Sequence, residues 1–451
     1  MESRYIIGID LGTTNCAVAY VDTHEGGDGS IHFLHIPQVV SPGNVENRPL
    51  LPSFSYQVKK QEYPEGSFDL PWRQAPTDVV GAYARERGAQ VPDRVIASSK
   101  SWLSYTAADR TAPLLPWGAP EEVPHISPLD ASARLLEHVR HAWNHVVAAG
   151  NPDLSLETQE VLVTVPASFD ATARELTVQA AQQAGISRVT LLEEPQAAFY
   201  AWIESPTRRW QDEVRVGDVI LVCDIGGGTT DFSLILVSEK HGELFLERIA
   251  VGDHILLGGD NMDLTLAYAI RHRLSAEGTK LDSWQMRGLL HSARQAKEAL
   301  FADRERTSHP VTILGKGRSL VGGTITTELT QDELGRVILD GFFPICASAD
   351  RPTGKRQTGL KELGLPYASD PAVTRHLAWF LSRHQGDSEL QGKPVQPTAI
   401  LFNGGVMKAE ALQHRIVDII KGWAPDEHEL KVLSSRSLDL AVAYGSVYYG
   451  L

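Results

Sequence analysis

Two short segments combine aspartate, glycine and hydroxyl residues in the same order, and they are the residues most suited to chemistry. The first reads DLGTT over residues 10–14, and the second reads DIGGGTT over residues 224–230. Glycines let a backbone turn approach a ligand closely, while the N–H groups of the turn and the threonine hydroxyls can donate hydrogen bonds to phosphate. Each segment therefore predicts a phosphate-binding turn.

The aspartates that open these segments, Asp10 and Asp224, would repel a polyphosphate if both were ionised and unaccompanied. A hard divalent cation between carboxylate and phosphate removes this repulsion. Mg²⁺ suits the position, because it prefers oxygen ligands and keeps several of its waters. We therefore expect the two turns to hold a polyphosphate from both sides, with Mg²⁺ beside Asp10 and Asp224.

The sequence lacks the motifs that are typical of several other reaction classes. The sequence has no GxxxxGK[ST] loop, no GxGxxG fingerprint, no HExxH or GxSxG motif and no Cys/His nucleophile arrangement. Its three cysteines, Cys16, Cys223 and Cys346, form no CxxC pair. This cysteine usage predicts a reducing compartment. Cys16 and Cys223 flank the two glycine turns inside apolar strands and predict buried thiols, with a pair of oxidisable thiols as the alternative.

The two turns each lie between apolar, β-rich runs, over residues 5–21 and 219–237. Each copy predicts a β-hairpin with a glycine-rich turn. Downstream of each hairpin, residues 161–186 and 399–420 read as a strand, a break and an amphipathic helix. The first of these helices is expected to be capped at Asp170 or Thr172. A repeat spaced by about half the chain predicts two similar lobes with a cleft between their turns.

The composition bounds the partners. The chain has 451 residues, 22% of them charged, with a formal net charge of −14. Such an acidic balance disfavours nucleic acid and anionic membrane as partners. No apolar run reaches the roughly 18 residues of a membrane span, and the first residues do not read as a signal peptide. We therefore predict a cytoplasmic protein.

A helix over residues 129–149 carries His138, His141 and His145 opposite its apolar residues. The spacing resembles a metal-ligand pattern, but a solvated helix face accounts for it more simply.

Four motifs together resemble the ATPase domain of the 70-kDa heat-shock chaperone family. They are IGIDLGTTNCAVAY, VTVPASFDATARELTVQAAQQAGI, LLEEPQAAFYAW and VCDIGGGTTDFSLILV, and they are similar to that family in order and spacing. Weaker matches follow at RPLLPSFSY, GGDNMDLTLA, ILFNGGVMKAEAL and SLDLAVAYGSVYYGL, so the resemblance spans nearly the whole chain.

The resemblance implies an α/β, actin-like bilobal ATPase fold with a nucleotide cleft and an inserted subdomain on each lobe. Lobe I is expected over residues 1–198, with its core at 1–45 and 115–198 and its insertion at about 46–114. Lobe II is expected over residues 199–451, with its core at 199–258 and 398–451 and its insertion at about 259–397.

The resemblance also implies roles for single residues around Mg²⁺ and ATP or ADP. Asp10 and Asp224 would hold the metal through water, Glu194 would order the catalytic water and reach the metal through water, and Lys100 would lie against the γ-phosphate. Thr229 would complete the catalytic set. The implied phosphate-side contacts are Gly12, Thr13, Thr14, Asn15, Gly226, Gly227, Gly228, Thr229, Gly258 and Gly259.

The adenine side departs from the family pattern. Lys297 and Asp439 match, as do Gly404 and Gly405, but Arg294 replaces an acidic residue and Glu298 a basic one. The other replacements are Phe301 for a small hydroxyl residue, Val406 for serine and Lys408 for arginine. A weakened adenine site, or a different base stack that uses Phe301, is the resulting hypothesis.

The expected function is Mg²⁺-dependent hydrolysis of ATP coupled to a lobe rearrangement, in a chaperone module without a peptide-binding domain on this chain. The implied partners are a co-chaperone or nucleotide-exchange protein, and a further C-terminal domain if the chain is part of a longer protein. Alternatives are a small-molecule kinase, a filament-forming subunit of the actin and sugar-kinase superfamily, and a pseudo-ATPase that binds nucleotide without hydrolysing it.

Overall fold

A computed structural model describes most of the chain. The described residues are 3–24, 30–59, 61–204, 209–240, 243–315, 324–354, 365, 367–384, 396–424, 429–435 and 437–451.

The strands lie mainly in the first third of the chain and around the second glycine turn. In chain order they are β1 Tyr5–Leu11, β2 Asn15–Asp22, β3 His32–Phe33, β4 Ile36–Ser41, β5 Asn44–Arg48, β6 Leu50–Pro52, β7 Ser55–Gln57, β8 Asp78–Val80, β9 Val95–Ile96, β10 Glu160–Val165, β11 Thr190–Glu193, β12 Val219–Ile225, β13 Thr230–Lys240, β14 Glu243–Val251, β15 Ser308–Ile313, β16 Ile325–Thr330, β17 Ala399–Asn403 and β18 Lys431–Leu433.

Among the described residues, the α-helices all begin at Ala82 or later. They are α1 Ala82–Arg87, α2 Ser99–Leu103, α3 Pro128–Trp143, α4 Ala171–Gln183, α5 Glu194–Ile203, α6 Gly259–Ala276, α7 Ser283–Ala302, α8 Gln331–Leu334, α9 Asp340–Phe342, α10 Val373–Arg383, α11 Glu410–Trp423 and α12 Ala441–Gly450. Asp170 caps α4 by accepting a hydrogen bond from the Ala173 N–H, which confirms the first of the two predicted caps.

The two largest sheets share one strand order. The first runs β11-β10-β1-β2-β3, with β6 also paired to β2, and the second runs β18-β17-β12-β13-β14. In each sheet the hairpin strands are antiparallel, and the first hairpin strand pairs in parallel with a strand from much later in the chain. Both predicted hairpins are confirmed, and so is the mixed α/β class.

Parallel pairing brings Asp224 of β12 level with Asn403 at the end of β17. The strand interiors are apolar and fully buried, including Ile7, Ile9 and Leu221, which anchors each hairpin in a hydrophobic core. The predicted buried thiols are confirmed at Cys16 and Cys223, while Cys346 is only partly buried. Within the described residues, no helix is long and apolar enough to cross a membrane.

The prediction of a solvated histidine face on α3 is wrong for its first member. His138 is buried, and its Nε2 lies 2.9 Å from the Pro37 carbonyl oxygen. Burial lowers the pKa of His138 to about 4. The Trp72 ring covers this face, at 5.5 Å from the His138 ring and 6.4 Å from the stacked ring of His141. His145 is exposed, with its ring 5.7 Å from that of Trp72.

Helix α12 packs against α5 and the first sheet through glycines. A β-carbon on Gly445 would lie 1.8 Å from the Ala197 carbonyl oxygen of α5. On the facing strand, a β-carbon on Gly8 would lie 2.5 Å from the Ala443 carbonyl oxygen. Because the obstructing atoms are backbone, neither side can move away cheaply.

We predict that Gly445→Ala lowers the free energy of unfolding by about 1–3 kcal/mol, because the added methyl group forces α5 and α12 apart. Gly422→Ala in α11 is the matched control, since nothing lies within 4 Å of its added carbon. It should leave stability unchanged or raise it by up to about 1 kcal/mol. Urea unfolding of the two variants checks this, and equal effects would contradict the close packing.

Candidate functional site

A cavity of about 400 Å³ lies between residues of the two hairpin turns. Its volume is in the range of pockets for nucleotide-sized molecules. The cavity wall contains nearly all of the predicted site residues: Asp10, Gly12, Thr13, Thr14, Asn15, Lys100, Glu194, Asp224, Gly226, Gly227, Thr229, Gly259, Arg294, Lys297, Glu298, Phe301, Gly404, Gly405, Val406, Lys408 and Asp439. The structure thus brings together residues that are up to 429 positions apart (Asp10 to Asp439).

Gly228 and Gly258 are the predicted site residues outside this wall. Gly228 packs behind its turn, where an added β-carbon would lie 2.1 Å from the Ser101 Oγ. Gly258 also packs against this turn, and an added β-carbon on Gly258 would lie 2.6 Å from the Gly226 carbonyl oxygen. Both glycines serve the approach of neighbouring backbone in this structure.

The two glycine turns approach one another closely at the cavity wall. A β-carbon on Gly227 would lie only 2.2 Å from the Thr14 Oγ1. The turn of the first hairpin is fixed by Ser53, whose hydroxyl donates to the Gly12 carbonyl oxygen at 2.6 Å. Glycine at position 227 is therefore needed for the opposed turns to approach this closely.

The carboxylates of Asp10 and Asp224 lie at the base of the cavity. Asp10 accepts a hydrogen bond from the Thr164 hydroxyl at 3.1 Å, and Asp224 accepts one from the Asn403 Nδ2 at 2.8 Å. Within the described residues, neither carboxylate has a Lys, Arg or His partner at ion-pair distance. Burial raises the pKa of Asp10 to about 7, and burial followed by the Glu194 charge raises the pKa of Asp224 well above its ordinary value.

Lys100 of α2 lines the same cavity as these acids. It forms an ion pair with Glu194 at the start of α5. Lys100 is only 5% exposed. Burial opposes its charge, but the attraction of Glu194 and then Asp10 outweighs burial, so that the pKa of Lys100 is raised. The site thus holds a permanently charged ammonium group beside three carboxylates.

This donor set fits a divalent cation held through water. Within the described residues, the carboxylates of Asp10 and Asp224 lack a cationic partner at ion-pair distance, and the buried Asn403 Oδ1 lacks a hydrogen-bond partner. No group of three or more His, Cys, Asp or Glu side chains suited to direct coordination occurs in the described part of the chain. Oxygen ligands that leave several waters in place are the ones that Mg²⁺ prefers.

At the other end of the cavity, Arg294 and Lys297 of α7 form ion pairs with two acids of α6. Arg294 lies 2.6 Å from Asp260 and 2.5 Å from Asp263, and the Lys297 Nζ lies 2.6 Å from the same Asp263. These buried ion pairs neutralise both cations and keep the pKa of Arg294 raised, since its attraction to Asp263 outweighs the opposing effect of burial.

The acid at position 298 is compensated from another element. Glu298 of α7 forms an ion pair with Arg85 of α1, and Lys408 forms one with Asp439. Phe301, Ala302 and Leu412 add apolar surface to this end of the cavity. This end of the cavity is therefore an apolar wall bordered by ion pairs.

Sequence reasoning missed four polar residues of the wall. Asp260, Asp263, Arg85 and Asn403 were not predicted as site residues, although all of them line the cavity. A signal existed for Asn403, which ends a buried strand immediately before Gly404. Asp260 lies in the first turn of α6, directly after the glycine pair at 258–259, and Asp263 follows one turn later.

A family model described as Hsp70 protein matches residues 52–340. The match covers more than half of the chain, and the protein therefore belongs to the Hsp70 family.

Among curated relatives, the chaperone protein HscA of Salmonella paratyphi C (strain RKS4594) is 33% identical over 437 residues, which are 95% of this chain and 60% of that protein. HscA of Salmonella agona (strain SL483) is 33% identical over 304 residues, or 66% of this chain and 42% of that protein. The chain thus spans 60% of the length of the first of these relatives.

The raised pKa of Asp10 gives a pH-dependent prediction. Asp10 has a raised pKa in the folded protein, so that the unfolded chain ionises first and stability is lost as the pH rises from about 4 to 7. Asp10→Asn removes this cost while the Thr164 hydroxyl keeps an acceptor. Without nucleotide or divalent ions, we expect the variant to be about 1–2 kcal/mol more stable than the wild type at pH 8.

Urea unfolding in EDTA at pH 4.5 and pH 8 measures this difference, which should nearly vanish at the lower pH. Asp418→Asn, on the exposed face of α11, is the control and should change stability little at either pH. A loss of stability at pH 8 in Asp10→Asn would show that the Asp10 carboxylate is favourably paired after all.

Proposed function

We propose that this chain is the nucleotide-binding ATPase module of an Hsp70-type chaperone system, which hydrolyses ATP to ADP and phosphate with Mg²⁺. The observation that carries the proposal is the convergence of Asp10, Asp224 and the Lys100–Glu194 ion pair on one cavity between opposed glycine turns. The Hsp70 family match supports it from outside the structure.

In this proposal the chain forms the actin-like pair of lobes expected from its repeat. Lobe I comprises residues 1–198 and lobe II residues 199–451, with insertions at about 46–114 and 259–397. The equal strand order of the two largest sheets supports this division. Nucleotide bound between the turns would favour a closed arrangement of the lobes, which a partner can then sense.

The phosphates would be held by the backbone N–H groups of residues 12–15 and 226–229, with the hydroxyls of Thr13 and Thr14 as further donors. Asp10 and Asp224 would hold Mg²⁺ through water. A bound Mg²⁺ neutralises phosphate charge and thereby lowers the barrier to phosphoryl transfer.

Lys100 would add positive charge where negative charge develops on the transferred phosphoryl group. Glu194 would accept a hydrogen bond from the attacking water and so orient it. Their ion pair holds the two side chains in place before nucleotide arrives, and such preorganisation is what makes an electrostatic contribution large.

The proposed setting follows from the family. We propose a cytoplasmic protein that works with a co-chaperone or nucleotide-exchange protein, and with a further C-terminal domain where the chain is part of a longer protein. Neither nucleic acid nor membrane is proposed as a partner, because the net charge is −14.

The first test concerns Lys100. We expect Lys100→Ala to lower the single-turnover rate of ATP hydrolysis at least about 100-fold, because a buried positive charge aimed at the phosphoryl group is lost. Nucleotide binding should remain within about tenfold, since the turns are unchanged. Rapid-quench measurement of phosphate release, with calorimetry for binding, separates the two.

Lys431→Ala is a control for the loss of a lysine, because Lys431 lies on β18 away from the cavity. Unchanged hydrolysis in Lys100→Ala would show that this lysine has another role. Tight binding of ATP by the wild type without any hydrolysis would instead identify a pseudo-ATPase.

The second test concerns the end of the cavity that contains Phe301, where we propose that the adenine base binds. Phe301→Ala should weaken binding of ATP about tenfold, because the apolar wall loses its aromatic ring. Binding of inorganic tripolyphosphate should not change, since that ligand reaches only the turns. Calorimetry with ATP, GTP, ADP and tripolyphosphate checks this, and equal losses for all four ligands would show that the substitution disturbs the cavity as a whole.

A further inference from the structure

Asn403 lies beside one of the two aspartates at the base of the cavity. It is the last residue of β17, which pairs in parallel with β12 so that Asn403 is level with Asp224. The Asn403 Nδ2 donates a hydrogen bond to the Asp224 Oδ2 at 2.8 Å, and both residues line the cavity. Asn403 is only 2% exposed, so that bulk solvent does not compete for this hydrogen bond.

The carboxamide of Asn403 has an acceptor that the described part of the chain does not use. An ionised carboxylate only accepts hydrogen bonds, so the NH₂ group of Asn403 must be the end that meets Asp224. The Oδ1 at the other end is buried, and it has no hydrogen-bond partner among the described residues. Buried acceptors are costly when they are unpaired, and most of them in folded proteins have a partner. The Oδ1 therefore points to a donor that comes from a ligand or its bound water.

The second aspartate at the base of the cavity is held by a similar arrangement. Asp10 of β1 accepts a hydrogen bond from the Thr164 hydroxyl of β10, the strand that pairs in parallel with β1. In both sheets a neutral side chain on the neighbouring parallel strand thus holds the aspartate. A neutral donor fixes a carboxylate without cancelling its charge, which a lysine or an arginine would cancel. Thr164 lies outside the cavity wall, whereas Asn403 belongs to it and brings the unused oxygen with it.

The residue after Asn403 fixes the backbone of this pair. Gly404 has a φ of 87°, in the left-handed region that favours glycine. A β-carbon on Gly404 would lie 2.3 Å from the Ile225 carbonyl oxygen and 2.7 Å from the Asp224 Oδ1. The chain therefore turns closely against the end of β12 directly after Asn403, and the packing holds Asn403 and Asp224 side by side.

We propose that Asn403 is a positioning residue for the divalent cation: its Nδ2 holds Asp224, and its Oδ1 accepts a hydrogen bond from a water bound to the cation. The inference rests on the proposed function, because it concerns the Mg²⁺ that the ATPase would bind together with nucleotide. It adds a neutral residue to the acids that were assigned to this ion.

The chemistry of a hydrated cation suits this role. A cation strengthens the hydrogen bonds that its bound waters donate, and Mg²⁺ keeps several of its waters in protein sites. An uncharged amide oxygen accepts such a hydrogen bond without adding a further buried negative charge. Loss of a residue that orients metal ligands in this way lowers metal affinity by about 10- to 100-fold. Asn403 should therefore matter for nucleotide binding only when the metal is present.

The experiment measures ADP binding by calorimetry, in Mg²⁺ and in EDTA, for the full chain and its variants. The ratio of the two ADP affinities isolates the contribution of the metal. We expect Asn403→Val to lower this ratio at least about tenfold, and to change the affinity in EDTA by less than about threefold. Asn403→Thr is the matched variant, because threonine has nearly the shape of valine but its hydroxyl can donate to Asp224 and accept from water. It should keep the ratio within about threefold of the wild type.

Leu401→Val, two residues earlier on β17, is the control for a disturbed core. Leu401 is 1% exposed, so the loss of a methylene group should lower stability in urea while the affinity ratio stays unchanged. An unchanged ratio in Asn403→Val would overturn the inference. Equal losses in the valine and threonine variants would also overturn it, because side-chain shape would then explain them. So would equal losses in Mg²⁺ and EDTA, which would show that Asn403 only shapes the cavity.

A second measurement uses the wild type. The side-chain amide NMR signals of Asn403, assigned by their absence from Asn403→Thr, should shift when Mg²⁺ replaces EDTA in the ADP complex. Signals that stay in place would contradict the proposed contact.

The outcomes separate this inference from the proposed ATPase. A wild type whose Mg²⁺-dependent ADP binding needs Asn403, but which hydrolyses no ATP, would refute the ATPase while the role of Asn403 stands. ATP hydrolysis together with a ratio that Asn403→Val leaves unchanged would refute the role of Asn403 alone. Equally tight ADP binding by the wild type in Mg²⁺ and in EDTA would refute both.

Discussion

The burial of several carboxylates around one lysine is the constraint on which this structure depends. Asp10, Asp224 and Glu194 share a cavity with Lys100, and burial raises the pKa of each acid. One ammonium group cannot compensate three acids, so that burial favours the protonated forms of these acids in the protein without a ligand. A cation bound beside them would favour their ionised forms and stabilise the folded protein.

At the end of the cavity that contains Phe301, the charged side chains are paired with opposite charges. There, Arg294 lies beside Asp260 and Asp263, and Glu298 lies beside Arg85. The cavity thus combines an end where three acids surround one lysine with an end where the charges are paired.

The sequence was informative where a pattern is local. The two hairpins, the Asp170 cap and the placement of Asp10 and Asp224 follow from alternation, capping and turn chemistry within a few residues. The Arg85–Glu298 pair could not be predicted in this way, because the partners are 213 residues apart and no local pattern relates them. His138 was misassigned for a similar reason, since the Trp72 that covers it comes from a segment without periodicity.

The packing of α12 has a consequence for how the chain is made. Gly8 of β1 lies directly under Ala443 and Ser446, and Gly450 lies against Ile6, so that the last helix covers the first strand. During synthesis, the ribosome releases β1 more than 400 residues before its covering helix exists. One face of that strand must therefore remain exposed, or be shielded by another protein, until α12 has been synthesised.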